Sequence, residues 1–233
     1  MCGIVGIYLK NKKYHKDLGK LLTVMMNNMA TRGPDSAGFA IYSPEKKKKF
    51  KYSVCFQKND SKSLKKIISK EIKDAKIKVI SDHLVIETSS HPSKVLNIIK
   101  NFEDLNLVGY GNSIEIFKQV GNPKDVVKEF SLEKFSGTHA IGHTRMATES
   151  AITTDGSHPY STGEDECLVH NGSLSNHNNL RRTLKKRGVE IKSQNDTEVA
   201  AGYISDGLSN KKSLKETLVD GLKDLDGFYT FIS

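Results

Sequence analysis

The chain has 233 residues, with 36 Lys and Arg against 27 Asp and Glu, a net charge of +9, and 36% hydrophobic residues. No apolar run approaches the ~18 residues of a transmembrane helix. The opening run from Ile4 to Leu9 has its charges after it, the reverse of a secretory signal. Three cysteines do not read as a disulfide framework, so the expectation is a reducing, cytoplasmic home with no membrane association. The positive charge is concentrated: residues 46–134 carry 19 basic and 11 acidic residues, residues 135–233 carry 11 and 13. No base-stacking aromatic motif accompanies it and Lys far outnumbers Arg. It reads as a solvated lysine-rich surface, not a nucleic-acid site.

CGIVGIYL reads as a buried strand. Leu18, Leu21, Leu22, Met25, Met26 and Met29 recur at helical spacing and predict a core-packed helix, ended by the Gly and Pro of TRGPDSAG. FAIY is a second strand. Lys46 to Lys49 is a charge run read as a solvated turn. Leu64, Ile67, Ile68, Ile72 and Ala75 mark a helix, LVIET a strand, and Val95, Ile98, Ile99 and Phe102 a further helix. LVGYG and SIEIFKQV read as a strand pair around Gly111-Asn112-Ser113. HAIGHTRMAT begins as a strand and ends in a polar loop, and CLVHNG is a strand running into a turn. Leu180 and Leu184 lie on a helix ending near Gly188. Asp196 precedes TEVAAGYI and is a candidate cap for it. SLKETLVDGLKDL is a final helix and GFYTFIS a final strand. The chain stops inside that strand's apolar run, so truncation relative to a longer parent is expected.

Cys2 follows the initiator Met. If Met1 is removed, Cys2 carries both a thiol and an α-amine, whose pKa of about 7.7–8.0 lets it accept a proton near neutrality. An N-terminal nucleophile thus carries its own general base. A thiolate attacking a carbonyl needs oxyanion donors, and Asn171 with Gly172 offers a side-chain amide and a glycine N–H; an Asn-Gly turn is the plainer reading. An amino-acid head group needs a cation and an anion. Arg145 and Asp196 are candidates, a salt bridge and a helix cap being the alternatives. Cys55 and Cys167 read as structural. The eight histidines show no zinc-like spacing with cysteines, so no metal is expected.

In the order CGIVG, RGPDSAG, GHTRMAT, HPYS, HNGSLSNH and NDTE, the chain resembles the class II glutamine amidotransferases, N-terminal nucleophile (Ntn) hydrolases that release ammonia from glutamine. The resemblance covers residues 2–42 and about 138–232. TRGPDSAGFAIY, GHTRMATESAITTDGSHPYSTG, CLVHNGSLSNHNNLRR and NDTEVAAGY look most like the amidotransferase subunit of N-methylglutamate synthase and the stand-alone relatives of the glutamate synthase amidotransferase domain. The resemblance implies an α+β fold, the four-layer α/β/β/α sandwich of Ntn hydrolases, over residues 1–233, with a lysine-rich α+β insertion at about 46–134.

It implies Cys2 as nucleophile, Asn171 and Gly172 as oxyanion hole, Arg145 and Thr148 as contacts to the glutamine carboxylate, and Asp196 as the ammonium contact. Arg32 is implied in a supporting role, and His158 and His170 as structural. Glu149 stands where the sugar-phosphate-using relatives have a His, which argues against a glucosamine-type synthase. The implied activity is a glutaminase supplying ammonia to partner synthase subunits. No cofactor is expected on this chain; a flavin would belong to a partner. The competing expectation is a non-catalytic subunit that binds glutamine or glutamate, or scaffolds the synthase.

Overall fold

The computed structural model describes residues 2–45, 48–56, 61–147 and 151–233. Met1, part of the Lys46–Lys49 run, Thr148 and Glu149 lie outside the described residues. In chain order the elements begin with β1 (Gly3–Tyr8), α1 (Leu18–Met29), β2 (Ser36–Tyr42), β3 (Phe50–Phe56), α2 (Ser61–Glu71) and β4 (Lys76–Ile80). They continue with β5 (His83–Thr88), α3 (Pro92–Lys100), β6 (Leu105–Gly111), β7 (Ile114–Val120) and α4 (Pro123–Glu129). The remainder are β8 (His139–Arg145), β9 (Val169–Leu174), α5 (His177–Lys186), α6 (Asp196–Ser209), α7 (Leu214–Asp224) and β10 (Gly227–Ile232).

One antiparallel sheet runs β1-β8-β2-β7 and a second β4-β5-β3-β6, with β10-β9 as a separate pair. Strand alternation sends Val5, Ala37, Phe39, Ile41, Phe117 and Ala140 to one face of the first sheet. There they bury Leu18, Leu22 and Met26 of α1 and Val126 and Val127 of α4. The opposite face carries Ala40, Tyr42, Ile114, Ile116 and Ile141, which pack on Cys55, Val108 and Val169 of the second β layer. α2 and α3 cover the far side of that layer through Leu64, Ile68, Val95 and Ile99, and α6 covers β9 through Ala200, Ala201 and Ile204. The result is two β layers between two helical ones, the expected α+β sandwich.

The strand pair expected around Gly111-Asn112-Ser113 does not form: β6 pairs with β3, and β7 pairs with β2. The turn crosses from one β layer to the other, and the Asp165 carboxylate holds it. That carboxylate accepts from the backbone of Asn112, Ser113 and Ile114 at 2.7, 2.8 and 3.0 Å and from the Ser113 hydroxyl at 2.8 Å. The lysine-rich middle is therefore divided: β3 to β6 with α2 and α3 build the second layer, while β7 and α4 belong with the first. Two of its lysines are buried instead of solvated. Lys51 pairs with Glu115 at 2.7 Å, and Lys118 donates to the carbonyls of Asp155 and Ser157 at 3.2 and 3.0 Å.

Candidate active site

Cys2 leads into β1, half-buried. Because β1 is antiparallel to β8, with Gly3 opposite Thr144, its start lies beside the exit of β8. The Cys2 thiol donates to the Met146 carbonyl at 3.8 Å, and Arg32 Nε donates to the Cys2 carbonyl at 3.3 Å. The loop carrying Arg32 is wedged against β8. A Cβ on Gly33 would run into the Thr144 carbonyl, and would come within 2.6 Å of the Arg145 nitrogen. Asp35 completes the wedge, its N–H donating to the Arg145 carbonyl at 3.0 Å and its Oδ2 accepting from the Ala147 N–H at 2.8 Å. Asp35 lies within RGPDSAG, yet the sequence does not show that it reaches residues 145–147. Arg145 is the last residue of β8, is buried, and donates from Nη1 to the Ala151 carbonyl at 3.2 Å.

β9 reaches the same end. A side chain at Gly6 would meet Ile232, which is the register partner of Val169. One residue along, the His170 carbonyl meets His143, itself opposite Ile4. Asn171 and Gly172 therefore lie toward Cys2. Backbone groups alternate between the two edges of an antiparallel strand. The Ser175 N–H bonds the Asp226 carbonyl in line with the β10 ladder, whereas the Leu174 N–H bonds Asp196. His170, Gly172 and Leu174 thus turn their backbone groups away from β10, and the Gly172 N–H stands on the open edge. Gly172 has φ +138°, and a Cβ there would collide with the Phe228 carbonyl and sit 2.6 Å from Tyr229 Cα, so only glycine fits.

Asp196 is the first residue of α6 and does not cap it. Asn195 is the cap, its side chain accepting from the Thr197 N–H at 2.9 Å. This leaves the Asp196 carboxylate to face β9, where Oδ2 accepts from Leu174 N–H at 2.9 Å and Oδ1 lies 3.5 Å from His170 Nδ1. Burial pushes the carboxyl up, but the hydrogen bonds from His170 and Leu174 and the fields of His170 and His177 outweigh it and hold its pKa below the usual value.

Behind β9 lies a buried cluster. His143 and His158 stack at 3.8 Å and 11°, and Thr197 Oγ1 lies 2.8 Å from His158 Nε2 and 2.9 Å from His170 Nδ1. Burial, with the fields of His170 and Arg145, pushes His143 down to about 3, despite its bond to the His170 carbonyl. Burial and the neighbouring His143, His170, Lys118 and Arg145 also drive His158 well down. Both rings are neutral in the fold. Sequence reasoning did not single out His143. The signal is strand alternation, which puts it on the face of Ile141 and Arg145.

The structure brings Cys2, Arg32, Arg145, Asn171, Gly172 and Asp196 to one end of the sandwich; Thr148 lies outside the described residues. Among the described residues no group of three or more His, Cys, Asp or Glu is placed to hold a metal. Nor is any described helix long and apolar enough to cross a membrane.

Residues 131–232 match the model of the glutamine amidotransferase domain. Over its whole length the chain is 47% identical to the glutamine amidotransferase-like protein GlxB of Rhizobium meliloti, covering 78% of it. It is 31% identical, again over its whole length, to a putative glutamine amidotransferase of Methanothermobacter thermautotrophicus, covering 81% of that protein. Among solved structures, the allosteric regulatory enzyme of purine biosynthesis superposes over 99% of the chain with a TM-score of 0.55 at 20% identity. This chain spans 34% of that enzyme, so the likeness speaks for the fold.

Proposed function

Since the chain belongs to the class II glutamine amidotransferases, a family of glutamine-hydrolysing enzymes of the Ntn fold, we propose that it is a glutaminase subunit. It hydrolyses the glutamine side-chain amide through Cys2 and passes ammonia to a synthase of the N-methylglutamate or glutamate synthase type. The observation that carries this is the placement of Cys2 beside the exit of β8, with Asn171 and Gly172 on the strand whose His170 carbonyl meets His143 of β8. With Met1 removed, the Cys2 α-amine takes the thiol proton and Sγ bonds to Cδ of glutamine. The oxyanion is held by the Gly172 N–H and the Asn171 amide. Its collapse breaks the Cδ–N bond, and the leaving nitrogen takes the proton from the α-amine and departs as ammonia. Water then adds to the glutamyl thioester and releases glutamate and the free thiol. Arg145 and Thr148 hold the substrate carboxylate and Asp196 its ammonium, an ionised group suited to a cation. Arg32 steadies the Cys2 carbonyl. The flavin expected of such a synthase sits on partner subunits.

Three measurements test this reading: intact mass, isolation from the native source and glutamate release. Intact mass of the natively produced chain is expected to show loss of Met1, and isolation from the native source is expected to bring synthase subunits with it. A retained Met1 together with no release of glutamate from glutamine points instead to a non-catalytic subunit.

A further inference from the structure

The buried histidine cluster takes no part in the steps above, yet it grips the strand that carries the oxyanion donors. His143 Nε2 lies 2.9 Å from the His170 carbonyl oxygen. A carbonyl only accepts, so the ring proton is on Nε2 and His143 is the Nε2–H tautomer. Its Nδ1 keeps a lone pair with no partner among the described residues. The His170 carbonyl belongs to the peptide group that ends at Asn171 N, and that group is planar. Holding the oxygen fixes the plane from which Asn171 and Gly172 continue. The edge of β9 turned away from β10 is thus gripped on either side of Gly172, by His143 at residue 170 and by Asp196 at residue 174. Thr197 Oγ1 holds the His170 ring as well, and the His158 ring buttresses His143.

We propose that His143 is a positioning residue for the oxyanion hole, its Nε2–H clamping the His170 carbonyl so that the Gly172 N–H and the Asn171 amide are presented to Cys2. It touches neither substrate nor thiol. The proposal rests on the glutaminase reading, and its test separates the two. His143→Phe keeps a flat ring against His158 and removes the donor; His143→Gln restores an N–H at the position of Nε2.

With glutamine as substrate, His143→Phe is expected to lower kcat about ten- to a hundredfold, part of the ~10²–10³ lost when an oxyanion donor is removed outright, with KM within about threefold. His143→Gln is expected to recover most of the rate. A raised KM at unchanged kcat, unchanged kinetics, or no recovery in a folded His143→Gln overturns it. If the wild-type chain turns over no glutamine, the glutaminase reading fails by itself. The clamp is then read from ¹⁵N spectra: an Nε2–H tautomer of His143 and displaced Asn171 and Gly172 amide signals in His143→Phe are expected. An Nδ1–H tautomer, or unmoved amides, overturns the clamp.

Discussion

Replacing Asp196 separates its two loads. The carboxylate accepts from the Leu174 N–H at 2.9 Å, which pins the edge of β9, and it is assigned the ammonium of glutamine. Asn at 196 is isosteric and its amide oxygen still accepts from Leu174, but it brings no charge to an ammonium. A hydrogen bond to a charged group contributes about 1.5–3 kcal/mol, so Asp196→Asn is expected to raise KM for glutamine about ten- to 150-fold with kcat little changed. Asp196→Ala loses the Leu174 acceptor too and adds about 1–3 kcal/mol of destabilisation for the stranded N–H. Its kcat is expected to fall as the β9 edge loosens. Initial rates of glutamate release across glutamine concentrations, with urea unfolding of each variant, make the comparison. The pH profile adds a check. The folded pKa is depressed, so the stability from this carboxylate is full above about pH 4, the ordinary Asp value, and is lost as pH falls through the folded pKa. Glutamine affinity should therefore hold down to about pH 4. A normal KM in a folded Asp196→Asn refutes the assignment.

Glu166, buried with Ser205 donating to it at 2.7 Å, is pushed by burial from 4.5 up to about 7 despite its hydrogen bonds. The folded chain holds this proton more tightly than the unfolded one. Stability should therefore fall from about pH 4.5 to 7, by about 3 kcal/mol at ~1.4 kcal/mol per pKa unit, and Glu166→Gln should flatten the urea-midpoint profile there. Gly172→Ala places a Cβ into the Phe228 carbonyl at φ +138°. It should cost about 1–3 kcal/mol of backbone strain and lower kcat strongly, seen together in unfolding and turnover. Asp165→Ala strands three backbone donors at the crossing between the β layers. A loss of about 3–5 kcal/mol follows at roughly 1 kcal/mol or more for each, measured by urea denaturation; a change under about 0.5 kcal/mol contradicts that role.

Elements with strong local periodicity were legible. The Leu and Met stripe of α1, apart from the exposed Leu21, and the strands read at FAIY and the start of HAIGHTRMAT appear where the residues predict them, because each depends on its own side chains facing a core. What depends on distant partners was not. β6 and β7 are adjacent strands that go to different sheets, and the turn between them is held by Asp165, more than fifty residues on. Asn195 and Asp196 are both good caps by type; the choice is made by β9, which draws Asp196 onto Leu174. The site motifs could be recognised in order, but the roles of Asp35 and His143 arise from backbone groups that strand pairing exposes on one edge. No spacing in the sequence encodes that.

The central claim is that Cys2 is the nucleophile of a glutaminase, and the most direct test is glutamate formation from glutamine by the chain freed of Met1 and by its Cys2→Ala variant. The wild-type chain is expected to release glutamate and ammonia in equal amounts, and Cys2→Ala to release none above the uncatalysed rate while unfolding at the same urea concentration. Equal rates from the two chains would contradict the account.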